Sequence, residues 1–298
     1  MECDQKRLNL RLGHGPSSCY ILAIYPVMGG QLKGQKMYNF EFEKPSSIAD
    51  AVAVLGSDEA QALGGGQTLI PTLKQRLASP STLVSLSNIP EMQGICTRDD
   101  GALCIGGSTT HGAVASGAGA YPGLAALAGH IGDPAVRNRG TIGGSLANND
   151  PSACYPAAAL ASGATMITST REIAADDFFL GMFETALEDG EIVTEVRFPI
   201  PEVSHYEKFV QPASRFALVG VMVAKFVDGV RVAITGASEG GVFRWTEAEA
   251  ALSANFSPDA LDALTLDVDN MIGDLHGSKE YRAHLCGVIA KRAVASAS

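Results

Sequence analysis

Two short glycine-rich segments constrain this chain more than any other feature: Gly64-Gly65-Gly66-Gln67-Thr68 and, far downstream, Thr141-Ile142-Gly143-Gly144-Ser145. Consecutive glycines carry a large unfolded-state entropy, so they belong where backbone approaches something closely or adopts dihedrals that other residues resist. The first segment leads into a helix expected over residues 69 to 78. The second lies ahead of a helix expected from Asp150-Pro151 through Ala161, read from a cap residue followed by proline at the first helical position. Unpaired amide donors at a helix start favour anionic oxygens, so the pair reads as two turns open to one large phosphorylated ligand. Either turn alone is equally a tight bend, with Arg137 and Arg139 as solvated charges and Asn148-Asn149-Asp150-Pro151 as no more than a cap.

The spacing is neither GxGxxG nor GxxxxGK[ST], which argues against a standard dinucleotide fold and against a P-loop hydrolase. Without a Walker lysine, phosphate has to be held by neutral donors and helix ends. The histidines form no HExxH or other tight ligand cluster, so His111 and His130 read as caps or core hydrogen-bonders. No GxSxG nucleophile elbow is present.

The chain of 298 residues is 46% hydrophobic and 18% charged, a globular composition that allows two or three units. Twenty-two Lys plus Arg against 32 Asp plus Glu gives a net charge of −10, which disfavours a nucleic-acid partner. The six cysteines are scattered without a CxxC pair, as expected for reduced, non-ligating thiols. The longest apolar stretch, Tyr20 to Met28, is too short to span a bilayer and contains Pro26, so no transmembrane segment is expected. Residues 1–36 are Gly-rich and locally basic without sustained periodicity. They read as an upstream extension or a start codon placed too early, with a partner-binding tail as the alternative, and not as a signal peptide.

Along the rest of the chain, Ser47 caps a helix from Ile48 to Leu55, between a strand near Tyr38 to Phe42 and a short strand at Gln61-Ala62-Leu63. A buried strand at Thr82 to Leu86 completes a small β-α-β-α-β lobe. A hairpin is expected around Asp99-Asp100-Gly101, flanked by strands at 94–96 and 103–106. Helices are expected over 110–116 and 123–131, and strands over 164–168 and 191–198. Strands at 216–227 and 229–237 meet near Asp228-Gly229, and a mostly helical tail follows Trp245. Pro199 and Pro201 mark a break before a C-terminal α+β domain.

Four ordered runs carry a family resemblance: Phe-x-x-Pro-x-Ser-Ile-Ala-Asp-Ala at Phe42 to Ala51, Gly-Gly-x-x-Leu-Ile-Pro at Gly65 to Pro71, Arg-Asn-x-Gly-Thr-Ile-Gly-Gly at Arg137 to Gly144, and Asp150-Pro151. In these the chain resembles the FAD-binding medium subunit of molybdenum hydroxylases, from Met37 nearly to the C-terminus. The resemblance implies an α+β fold: a two-lobed FAD-binding domain of the vanillyl-alcohol-oxidase/PCMH type at 37–212, with lobes of about 37–92 and 93–212. A smaller C-terminal domain follows at 213–298.

It further implies FAD binding by Gly64, Gly65, Gly66, Gln67, Thr68 and Leu69 in one loop and by Thr141, Gly143, Gly144 and Ser145 in the other. Asn148 and Asp150 fall at cofactor-proximal polar positions, and Lys208 falls near the flavin ring, against the plain reading of an exposed lysine. Gln67 stands where the family often has His or Asn, Ser145 where Asn is usual, and Cys154 where Asp or Glu is common. No residue of this chain is implied as an acid, base or nucleophile.

The implied partners are a small subunit with two [2Fe-2S] clusters and a large subunit with the molybdenum cofactor, in a dimer of heterotrimers. The implied location is cytoplasmic, or peripheral to the membrane through the complex. Electrons would pass from the clusters to FAD in this chain and on to an external acceptor. A stand-alone FAD-dependent oxidoreductase and a flavin-free scaffold subunit are the alternatives. The molecule hydroxylated and the acceptor stay open.

Overall fold

The computed structural model describes residues 37–297; the readings placed on residues 1–36 lie outside them. The first sheet holds β1 (Glu41–Glu43), β2 (Ala60–Leu63) and β3 (Thr82–Ser85) in the order β1-β3-β2, all parallel. Parallel neighbours need crossovers, and α1 (Ile48–Leu55) and α2 (Leu69–Lys74) supply them. The Ser47 hydroxyl starts α1 by accepting the Asp50 N–H at 3.1 Å. Ala51 and Leu55 face Val84, Leu86, Ile89 and Met92 in a small core. The helix expected to continue to residue 78 ends at Lys74, and Arg76 follows in the left-handed region at φ 59°.

A second sheet has the order β4-β5-β10-β6-β7, built from β4 (Ile95–Thr97), β5 (Leu103–Gly106), β6 (Thr165–Thr168), β7 (Glu172–Ala174) and β10 (Val193–Phe198). Between β5 and β6 the chain makes α3 (His111–Gly117), α4 (Pro122–Gly129), α5 (Pro134–Arg137), α6 (Ile142–Asn148) and α7 (Tyr155–Ser162). The short α8 (Ala175–Phe178), β8 (Phe179–Gly181) and β9 (Glu184–Thr185) precede β10. Two expectations are corrected here. The second glycine segment does not lie ahead of a helix, because it is itself the first turn of α6. Asp150-Pro151 does not open a helix: Asp150 Oδ1 accepts the Ser152 N–H at 2.8 Å in a local turn, and α7 begins only at Tyr155.

The third sheet is an antiparallel meander of β11 (Val203–Val210), β12 (Ala217–Phe226), β13 (Gly229–Ser238) and β14 (Gly241–Arg244). It therefore begins at Val203, ahead of the 212/213 boundary read from the sequence. Its two faces are both covered, which explains the nearly unbroken apolar run in β12. Val219, Val221 and Val223 pack with Leu285, Ile289 and Ala293 of the terminal helix, and Met222 and Ala224 join the core around α7. The tail after Trp245 is mostly helical, with α9 (Thr246–Ala254) and α10 (Lys279–Ser296) separated by a 3-10 turn at Pro258–Leu261 and irregular chain.

Arg282 on α10 is 3% exposed and donates to the carbonyls of Leu218 at 2.8 Å and Gly236 at 2.6 Å, and to Asp274 Oδ2 at 2.7 Å. Truncation strands two carbonyls and a carboxylate. Arg282→Ala is expected to cost about 3 kcal/mol or more, read as a lower urea midpoint with an unchanged slope.

Candidate functional site

The two glycine segments touch, backbone against backbone. A Cβ built on Gly65 would overlap the Arg139 carbonyl and lie 2.6 Å from Gly140 Cα. One on Gly64 would lie 2.9 Å from Thr141 Oγ1, and Gly66 turns into α2 at φ 70°. The second turn is seated from below: a Cβ on Gly143 would lie 2.6 Å from the Gly107 carbonyl oxygen, in a segment that continues β5.

The hydrogen bonds of the two turns differ. In the second, Ile142 N–H donates to Thr109 O at 3.0 Å, Gly143 N–H to Gly107 O at 2.9 Å, Ser145 N–H to Thr141 O at 3.0 Å, and Gly144 N–H to the Thr141 hydroxyl at 3.2 Å. The expectation of unpaired donors at that helix start is thus corrected: the donors are engaged by Thr141 and the Gly107–Thr109 segment. In the first turn, no backbone N–H from Gly64 to Leu69 meets an acceptor among the described residues. Gly64, Gly65, Gly66 and Leu69 are half-buried there, and Gln67 and Thr68 are exposed. Gln67 Nε2 makes only a long contact of 3.4 Å to Gly65 O, and the Thr68 hydroxyl caps nothing.

The other expected residues spread out from this point. Ser145 and Asn148 are half-buried on α6, and neither side chain has a hydrogen bond among the described residues. Asp150 stands after α6, its carboxyl pKa raised by burial. Lys208 on β11 is not the freely exposed lysine of the plain reading. Its ammonium donates to His130 O at 2.7 Å and Arg215 O at 2.9 Å, and lies 3.7 Å from Cys154 Sγ. It borders a cleft of about 460 Å³ with His130, Glu207 and Arg215, and none of these contacts reaches the glycine turns.

One contributor was missed from the sequence as a site residue, and a second, Asn149, was read only within the run Asn148-Asn149-Asp150-Pro151. The run Gly107-Ser108-Thr109 holds the second turn, and its signal was its composition of Gly, Ser and Thr after a strand. Asn149, beside the expected Asn148, ends α6 in the left-handed region and donates to the carbonyls of Gly181 at 2.7 Å and Glu184 at 2.9 Å. His111 is not a cap, since Thr110 caps α3, and its Nδ1 is buried without a partner. Its Nε2 lies 2.5 Å from where a Gly140 Cβ would be, and its ring centroid is 5.3 Å from that of Tyr155. Burial first, and the positive charge of Arg137 second, push its pKa down to about 4.

A run of open amides that begins with three residues lacking side chains fits a pyrophosphate, whose oxygens need several donors at close approach. The arrangement can hold an anionic cofactor by backbone, and the titratable group against the turns among the described residues is His111, whose ring lies on Gly140. The family described as FAD binding domain in molybdopterin dehydrogenase matches residues 38–201. The carbon monoxide dehydrogenase medium chain of Hydrogenophaga pseudoflava is 33% identical over 87% of this chain and 96% of its own length. The nicotine 6-hydroxylase medium subunit of Paenarthrobacter nicotinovorans is 33% identical over 88% and 98%.

Among solved structures, carbon monoxide dehydrogenase from Hydrogenophaga pseudoflava superposes with a TM-score of 0.79 at 33% identity, over 88% of this chain and 98% of the matched one. Quinoline 2-oxidoreductase from Pseudomonas putida 86 does so with 0.79 at 30%, over 88% and 97%. The chain belongs to the FAD-binding medium-subunit family of the molybdopterin dehydrogenases, and it has their two-lobed α/β architecture. It is an FAD subunit of oxidoreductases of the molybdenum hydroxylase class.

Two outcomes follow from this geometry. Gly65→Ala forces the turns apart and is expected to weaken FAD affinity about tenfold or more, the equivalent of about 1.4 kcal/mol, read as a lower flavin-to-protein absorbance ratio. Gly119→Ala, where an added Cβ meets nothing within 4 Å, should leave the ratio unchanged. For His111 the folded pKa of about 4 lies below the ordinary imidazole value of 6.5, so the unfolded chain binds the extra proton. Its contribution to stability is present above pH 6.5 and is lost as pH falls toward 4. Urea titrations of His111→Asn should therefore show a shallower decline of stability across that window than the parent protein.

Proposed function

We propose that this chain is the FAD-carrying electron-transfer subunit of a heterotrimeric molybdenum hydroxylase, placed between [2Fe-2S] clusters in a small subunit and an external acceptor. The observation that carries the reading is the row of open N–H groups from Gly64 to Leu69, walled by the second glycine turn. The amides of Gly64, Gly65, Gly66, Gln67, Thr68 and Leu69 hold the pyrophosphate, helped by the Thr68 hydroxyl. Thr141, Gly143 and Gly144 form the opposite wall, with too little bulk to keep the cofactor away, and Ser145, Asn148 and Asp150 serve its hydroxyl groups. Lys208 is fixed by two carbonyls and orders the cleft near Cys154, where the flavin end is assigned. FAD supplies the redox chemistry that the side chains of this protein lack.

Iron–sulfur clusters need four ligands each. Among the described residues, no group of three or more His, Cys, Asp or Glu is arranged to hold a metal ion. The clusters and the molybdenum cofactor are therefore assigned to a small and a large partner, in a dimer of heterotrimers. Carbon monoxide, nicotine and quinoline differ widely as substrates, yet enzymes named for them have a chain like this one. Substrate choice is accordingly assigned to the large subunit.

The lobes are placed at 37–92 and from 93 to near Pro201, with the C-terminal domain beginning at β11. Among the described residues no helix is long and apolar enough to cross a membrane, and the complex is assigned to the cytoplasm, with any membrane contact made through partners.

The complex recovered natively through this chain is expected to show flavin and iron–sulfur absorbance together, with small, medium and large chains in about equal amounts. A flavoprotein that stays alone and turns over substrate by itself would overturn the proposal in favour of a self-contained oxidoreductase.

A further inference from the structure

β4 and β5 pair antiparallel with Cys96 directly opposite Cys104. The Arg98 N–H donates to Ala102 O at 2.9 Å, and the Gly106 N–H donates to Gly94 O at 3.0 Å. Hydrogen-bonded positions alternate along such a ladder, so Cys96 and Cys104, midway between these two, are also a hydrogen-bonded pair. In that register the Cα atoms stand about 5.5 Å apart with both side chains on one face. The separation falls inside the range of about 4.4–6.8 Å that a disulfide spans.

Both thiols are free in the structure, with Cys96 exposed and Cys104 at 2% exposure. The flanking Leu103 and Ile105 belong to the apolar core, and Cys104 does not, so its side chain lies on the other face of the sheet. Across from it on β10 is Arg197, held by Glu195 at 2.9 Å and Glu172 at 2.7 Å, and Arg98 lies 3.9 Å from Glu195. The Cys104 thiol is hydrogen-bonded by Arg98 and lies across the ladder from Arg197. Burial first, then Glu195 and Cys96, push that thiol up to about 11, which makes it the slower partner in any exchange.

We propose that Cys96 and Cys104 are an oxidisable cross-strand dithiol, a modification site that closes to a disulfide by exchange with a low-molecular-weight disulfide. The Cys96 thiolate attacks one sulfur of the small disulfide, forming a mixed disulfide and expelling one small thiolate. The Cys104 thiol then gives its proton to solvent, and its sulfur attacks Cys96 Sγ and expels the second small thiolate. Two protein thiols are oxidised, and one small disulfide is reduced to two thiols. The bond lies on the strand that runs into Gly107 and Thr109, whose carbonyls hold the second glycine turn, so the modification reaches the support of the flavin site. The inference goes beyond the electron-transfer reading and does not depend on it.

The test treats the full-length protein with oxidised glutathione, blocks remaining thiols, and maps peptides without reduction. Cleavage after Arg98 places the two cysteines in different peptides. The expected result is a disulfide-linked pair containing Cys96 and Cys104, with an intact mass lower by about 2 Da before blocking. Cys104→Ser should leave only a glutathione adduct on Cys96, and Cys96→Ser should abolish both products. An unmodified pair, a lasting glutathione adduct on Cys96 in the parent protein, or linkage to any other cysteine would overturn the proposal.

Discussion

The closest approach in the site is that of the Gly65 backbone to the peptide between Arg139 and Gly140, and most of the surrounding architecture serves to make it possible. Gly140 is pressed by the His111 ring, Gly143 lies on the Gly107 carbonyl, and the Gly107 N–H donates to Thr194 O on β10 at 2.7 Å. The contact therefore runs without interruption from the end of β2, through the start of α6, to the middle of the second sheet. Side chains at these glycines would replace each contact with a gap or a clash, because two backbones approach this closely only where Cβ atoms are missing.

The division of labour between the turns follows from the same contact. Supporting the second turn uses up its amides, because a buried N–H left unpaired costs more than the bond is worth. The first turn is less buried, and water can satisfy its amides. A backbone site made in this way is rigid on one side and open on the other, the condition for holding a large anion without a lysine.

The C-terminal sheet contributes from outside the turns. The Thr235 hydroxyl donates to the carbonyls of Pro151 at 2.9 Å and Ala153 at 2.8 Å, and the Gly236 N–H donates to Pro151 O at 2.7 Å. The chain between α6 and α7 is thereby held against β13, and with it Cys154, the neighbour of Lys208. Asp150, named from resemblance, thus has its place set by a sheet formed much later in the chain, the sheet whose strand β11 carries Lys208.

Local chemistry was legible in the sequence where it acts within a few residues: the Ser47 cap of α1, the Asp228-Gly229 hairpin, the paired strands of the third sheet, and both glycine segments with their order and spacing. It was misread where tertiary partners compete with local signals. Asp150-Pro151 looks like a helix start, yet Pro151 is claimed by Thr235 and Gly236, and α7 begins later. Two amide-rich turns look equivalent in one dimension, yet only one keeps its donors open, because the segment that occupies the other follows a different strand. Sequence alone determined which residues lack side chains and where a locally capped helix such as α1 starts, since those depend on dihedral freedom and neighbouring caps. Only the tertiary structure decided which amides stay available and which cysteines face each other, because both are set by the pairing of segments distant along the chain.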